Sequence, residues 1–382
     1  MRQHHEPDYR PGKLFARITW KRPLLPYYLK GRGNVVMNTY LLRLCSYHQP
    51  RRERVIENVL ANRQTVATLF WAQHYGILTW LGARRRLSRA QFDQEVAVLI
   101  GAGLLERVGA DEIKLTAAGV SYEESQPSPY QPHFYPWYWL ANTQTVQRRL
   151  LLGFQVVSEL AYHNRYYAPL AVPFTDQEAV RGWFRHFKSA QFVQEVYAEL
   201  HLLAGALANE DQRLAAVLVN RLIGHNQAGW TLDQLADHLQ LSPADALVLD
   251  HDLWLAVTAF SRRTAGPLAS LARPLIAPAP ISRSCQTTVQ LARQGLELVR
   301  IAERRRLKLG TVREHLLTAA ILTPQQLDWA QLLPAEQRKF LDHHFRGDTI
   351  HWRFQGWSGD ENSDFYYFRL YQIYKEYSQN ES

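Results

Sequence analysis

The chain has 382 residues, of which 46% are apolar, and a formal net charge of +9. That length suffices for two or three domains, the apolar share excludes global disorder, and the basic balance points to polyanions, nucleic acid ahead of anionic membrane. The two cysteines, Cys45 and Cys285, lie far apart, which excludes a disulfide framework or a Cys-rich zinc site and fits a reducing cytoplasm. No apolar run approaches the roughly 18–20 residues of a membrane span, and the N-terminus lacks the apolar core of a signal peptide.

Residues 1–36 are polar and basic, with Pro7, Pro11, Pro23 and Pro26 and no sustained period. Met37 is followed by a helical pattern through Tyr40, Leu41 and Leu44. Two readings stand: translation starts at Met37, or residues 1–36 form a flexible basic arm. Residues 37–124 are expected to form a winged-helix-like domain. Helices are predicted over Arg54–Leu60 and Thr65–Leu78. Ser88 and Gln91 form a capping box for a helix that buries Phe92, Val96 and Leu99. Strands over Leu104–Val108 and Glu112–Leu115 flank the turn Gly109-Ala110-Asp111, and Thr116-Ala117-Ala118-Gly119 closes the unit.

Residues 125–265 are expected to be a helical middle domain, entered by a Pro-rich wrap over Ser125–Pro136. One apolar stripe runs through Leu150, Leu151, Phe154, Val157, Leu160 and Ala161. Another runs through Phe192, Val196, Leu200 and Leu203, with Pro169 and Pro173 between them. Thr231-Leu232-Asp233-Gln234 caps a helix with Leu235 and Ala236, and Ser242-Pro243 opens the next. This has the form of a helix-turn-helix. Its second helix carries Asp245, Asp250 and Asp252, which would repel phosphate, so it reads as structural or protein-facing. The Pro- and Ala-rich stretch 266–283 reads as a linker. The aromatic clusters Tyr130–Trp139 and His351–Tyr377 could stack bases, but covering helix junctions is the favoured reading.

Residues 284–378 carry the most informative motif. Leu298, Ile301 and Ala302 line the inner face of one helix, Leu307 and Leu309 plug a turn, and Val312, Leu316 and Leu317 are buried by a second helix opening at Gly310-Thr311. In a helix-turn-helix the second helix enters the major groove by its N-terminal end. Arg304, Arg305, Arg306 and Lys308 sit at that mouth and would hold phosphates. Thr311, Arg313 and Glu314 would meet base edges or backbone. His315 either joins them or bonds within the domain. Arg306 stands where such turns usually have Gly to reach φ > 0, which implies a slightly different turn. Further helices are expected from Thr323-Pro324-Gln325-Gln326, over Ala335–Phe345, and in the tail Phe365–Tyr377.

Other chemistry is sparse. There is no G-x-x-x-x-G-K-[ST] loop, H-E-x-x-H or C-x-x-C. Asp342, His343, His344, Asp348 and His351 could hold a divalent metal for phosphoester hydrolysis, although their setting reads as a solvated helix C-terminus.

Ile301-Ala302, the Arg-rich turn, and Thr311-Val312 with His315-Leu316 resemble the helicase helix-turn-helix domain. That domain occurs at the C-terminus of some RecQ-type helicases and in a stand-alone family of Gram-positive bacteria encoded beside RecQ-type helicases. The chain looks like the stand-alone family over most of its length, with residues 1–36 outside it. The resemblance implies a cytoplasmic, non-enzymatic DNA-binding accessory of a RecQ-type helicase in recombination or repair. The expected partners are DNA and the helicase, with no cofactor, metal, membrane or small-molecule substrate. The alternatives are a transcription regulator, which would need a symmetric dimer, and a metal-dependent phosphoesterase. The expected fold is mainly α, with a small wing hairpin.

Overall fold

The computed structural model describes residues 38–125, 130, 132 and 141–380. The arm or start-site question at residues 1–36, most of the Ser125–Pro136 wrap and most of the Tyr130–Trp139 cluster lie outside them. The chain is mainly α-helical, with one small antiparallel sheet. Its buried apolar side chains form one continuous cluster from Tyr40 to Ile373. No helix among the described residues is long and apolar enough to cross a membrane.

The first unit holds α1 (Glu53–Leu60), α2 (Val66–His74) and α3 (Arg89–Gly101). The second of these ends at His74, short of the expected Leu78, and Gly76 follows in the left-handed region. The Ser88–Gln91 capping box is present. Strands β2 (Leu105–Val108) and β3 (Glu112–Leu115) form the expected hairpin, with Leu105 opposite Leu115 and Val108 opposite Glu112. A short strand not foreseen, β1 (Arg51–Arg52), pairs on the other edge of β3. The Leu-Thr-x-x-Gly close has a steric reason. A Cβ on Gly119, in α4 (Ala117–Ser125), would sit 2.1 Å from the Leu104 carbonyl oxygen. Only glycine lets the helix approach the backbone leading into β2 this closely.

The middle holds α5 (Thr143–Ala161), α6 (Phe174–Phe187), α7 (Phe192–Glu210) and α8 (Gln212–Arg221). The look-alike motif is α9 (Leu232–Leu239) and α10 (Pro243–Arg263), with both predicted caps present. Its acidic residues are not where the sequence reading put them. Asp245, Asp250 and Asp252 are buried. Asp245 pairs with Arg43 at 2.7 Å, Asp250 with Arg221 at 3.0 Å, and Asp252 accepts the Tyr130 hydroxyl. They do not form a phosphate-repelling face. Two of them pair with arginines and the third accepts a hydroxyl, around a core helix that packs on α5, α8 and α9.

The 266–283 stretch expected as a linker contains a buried helix, α11 (Pro267–Ala272), packed on α5, α6 and α7. Pro267 serves as its first residue, where a missing N–H costs nothing. Glu199 accepts the Leu268 and Ala269 amides at 2.7 Å each, and the Trp183 indole donates to the Pro267 carbonyl at 2.6 Å. The last unit holds α12 (Arg283–Arg293), α13 (Leu298–Arg305), α14 (Leu309–Leu322), α15 (Trp329–Leu332), α16 (Ala335–His344) and α17 (Glu361–Asn380). The helix expected from Thr323 is a single 3-10 turn, Pro324–Gln326. Asp328 then caps α15.

Candidate nucleic-acid interface

The helix-turn-helix is α13 and α14, with α12 packed beside both. Ile301 and Ala302 are buried on α13, and Val312, Leu316 and Leu317 on α14, as the pattern predicts. Leu298, Leu307 and Leu309 are half-buried against the core.

The turn corrects the sequence reading. Arg306 adopts the left-handed conformation itself, at φ +54° and ψ 43°. Its N–H donates to the Glu303 carbonyl at 3.1 Å, and the Leu307 N–H to the Ala302 carbonyl at 2.9 Å. That is the helix-ending pattern glycine normally supplies. Gln240 does the same after α9, at φ 55°, with Leu241 donating to Ala236 at 2.8 Å. The turn is therefore of the usual kind, with a side chain borne where one is rare.

The eight predicted side chains do not share one fate. Arg304, Arg306, Lys308 and Glu314 are exposed. Among the described residues, Arg304, Arg306 and Lys308 have no ion pair, because the nearby Glu303 binds Arg300 at 2.9 Å. Arg305 turns inward. Its guanidinium donates to Ser284 Oγ at 2.8 Å and to the Thr288 hydroxyl, both on α12. His315 joins this group through Nδ1 and Thr288 Oγ1, 2.8 Å apart. Burial first, and then the Arg305 charge, hold its pKa below the ordinary histidine value, so it bonds within the domain as a neutral ring. Burial likewise pushes the neighbouring Cys285 thiol up to about 11, which leaves it unreactive.

Of the three residues expected to face bases, Thr311 and Arg313 are also withdrawn. Besides α12 and α13, helix α14 packs against α17 and against α2 of the first unit. Arg313 is only 14% exposed, 3.9 Å from Asp360, and its guanidinium lies 5.9 Å from the Tyr366 ring centroid. Thr311 is half-buried. The open part of α14 is its first turn. Lys308 precedes it with no side-chain cap, and a Cβ on Gly310 would meet only open space. The sequence reading did not single out Arg283 and Arg293, which are exposed at the two ends of α12. Their charge was the available signal.

Three arginines of the first unit serve the fold. Arg84 binds Glu95 at 3.1 Å, Arg89 binds Glu57 at 3.0 Å, and Arg107 binds Glu53 at 3.0 Å. Among the described residues no group of three His, Cys, Asp or Glu side chains is placed to hold an ion. Asp342 is held below the usual carboxylate range by a hydrogen bond from Lys375, 2.8 Å away, and by the Tyr371 hydroxyl. His343 and His344 are exposed at the end of α16. The His351–Tyr377 aromatics cover helix junctions, with Trp352 stacked on Tyr371 at 5.4 Å.

Residues 284–349 match a family model described as a helix-turn-helix domain. Over 289 residues the chain is 22% identical to Protein YpbB of Bacillus subtilis (strain 168), covering 74% of this chain and 80% of that protein. No solved structure matches it. The matched segment starts in α12 and stops before α17, so two of the elements that cover α14, α2 and α17, lie outside it.

Proposed function

We propose that this chain is a non-enzymatic, cytoplasmic DNA-binding protein that acts beside a RecQ-type helicase in recombination or repair. Its helix-turn-helix grips the DNA backbone. The observation that carries the reading is the trio Arg304, Arg306 and Lys308, exposed at the mouth of α14 and without an ion pair among the described residues. Cations so placed neutralise phosphates, and the N-terminal end of the helix dipole adds to their field. The inward turn of Arg313 favours phosphate contact over base contact, so binding is expected to be largely indifferent to sequence. The helicase half rests on the sequence resemblance.

The test is the salt dependence of binding to duplex and forked DNA. Each lost phosphate contact removes about 0.9 from the slope of log K against log salt. Replacing Arg304, Arg306 and Lys308 with Ala should flatten the slope by about two to three units and weaken binding uniformly across sequences. Arg305→Ala is the control. It should leave the slope unchanged and cost about 1–2 kcal/mol of stability, because it loses bonds to α12. Unchanged affinity in the triple variant would move the function to protein docking. A failure of the full chain to bind a purified RecQ-type helicase would remove the helicase half alone.

A further inference from the structure

A second surface, outside the matched domain, is built to display an aromatic ring. The loop between α5 and α6, residues 162–173, is pinned at several points from below. His163 ends α5 in the left-handed region, at φ 56°. Glu159 accepts from the Asn164 side chain at 2.7 Å, and Asn164 Oδ1 accepts the Tyr166 N–H at 3.1 Å. The buried Gln155 donates to the Ala168 carbonyl at 3.0 Å and accepts the Leu170 N–H at 2.7 Å. His225, held by Glu159 at 2.8 Å, stacks under Tyr162 with ring centroids 4.5 Å apart.

At the tip, Tyr166 is 95% exposed. Among the described residues it has no side-chain hydrogen bond or ring contact, and Arg165 beside it is exposed without an ion pair. Fixing a loop backbone costs about 1–2 kcal/mol per residue in entropy. A ring left in water offsets none of that cost, so the fold itself gives no reason for this side chain. Tyr162 is also 43% exposed, with one face stacked on His225. The exposed side chains of the loop include Tyr162, His163, Arg165 and Tyr166 and no carboxylate, since Glu159 lies buried beneath.

We propose that this loop is a binding site for single-stranded nucleic acid, with Tyr166 as a platform for an unpaired base and Arg165 as a phosphate contact. Aromatic rings beside cations suit that ligand. In a duplex the base faces are already stacked on one another and offer Tyr166 no partner. The site is independent of the helix-turn-helix, and the test is arranged so that each can fail alone. The full chain with Arg304, Arg306 and Lys308 replaced by Ala is titrated with a dT oligonucleotide of about 20 nucleotides, longer than one such loop covers. In that background Tyr166→Ala should weaken binding about five- to 150-fold, the range for losing one stacked base. Tyr166→Phe keeps the ring and should stay within about twofold of the parent. Arg165→Ala should reduce the salt slope by about 0.7. A 5-iododeoxyuridine-substituted oligonucleotide should crosslink to the peptide containing Tyr166. No binding by the parent, unchanged binding by Tyr166→Ala, or an equal loss in Tyr166→Phe each overturns the proposal. In the first two cases the ring is left as a protein contact.

Discussion

At the scale of single residues, Arg306 shows two demands meeting at one position. The left-handed conformation costs a residue with a Cβ roughly 1–2 kcal/mol, and the same turn would accept glycine without that strain. Arg306→Gly is therefore expected to raise the unfolding free energy by up to about 1 kcal/mol in a urea titration. It should also lower DNA affinity and take about 0.9 from the salt slope. A stabilised variant with unchanged affinity would show that the guanidinium does not touch phosphate. The apolar half of this motif was legible from spacing alone, since Ile301, Ala302, Val312 and Leu316 are all buried as the helical period requires. The roles of the polar residues were not. Arg305 and Arg313 face partners that local sequence does not announce, Ser284 and Thr288 on one side and Tyr366 on the other.

At the scale of elements, the two helix-turn-helix units share a turn and differ in what surrounds them. Both end their first helix on a left-handed, non-glycine residue. Yet α10 lies in the core, while the mouth of α14 is open. The signal was in the sequence of α10, where Val248, Leu249, Leu253, Trp254, Leu255, Ala256 and Val257 leave no polar side. A helix apolar all round is a buried helix, and an Asp within it must be paired. Asp245→Ala would leave Arg43 buried and without its carboxylate partner. It should cost about 3 kcal/mol or more by chemical denaturation, as is typical when one member of a buried pair is removed. A loss under about 1 kcal/mol, the usual value of a surface pair, would show that the pair is open to water. The helix α11 escaped notice for a related reason. Proline and alanine mark a linker when exposed and a helix start when buried, and composition does not distinguish the two.

At the scale of the whole molecule, the first and last units meet along α2, α14 and α17. The Arg369 guanidinium on α17 lies 4.3 Å from the Phe70 ring centroid on α2, and burial lowers its pKa to about 10. His74 and Glu376 are bonded at 3.1 Å across the same seam. The segment that matches the helix-turn-helix family, 284–349, includes neither α2 nor α17. Excised alone, it should lack part of the cover over the apolar side of α14. It is expected to give a poorly dispersed amide NMR spectrum and to bind a hydrophobic dye, whereas the full chain should do neither. A well-dispersed spectrum from the fragment would show that the seam is dispensable. The seam also bears on how such chains diverge. A smaller residue at position 70 strips the ring from beneath a buried cation, so it should be accompanied in related proteins by loss of the charge at 369. Stretches some 300 residues apart in the sequence would then change as partners, and that correlated drift would be readable in related sequences.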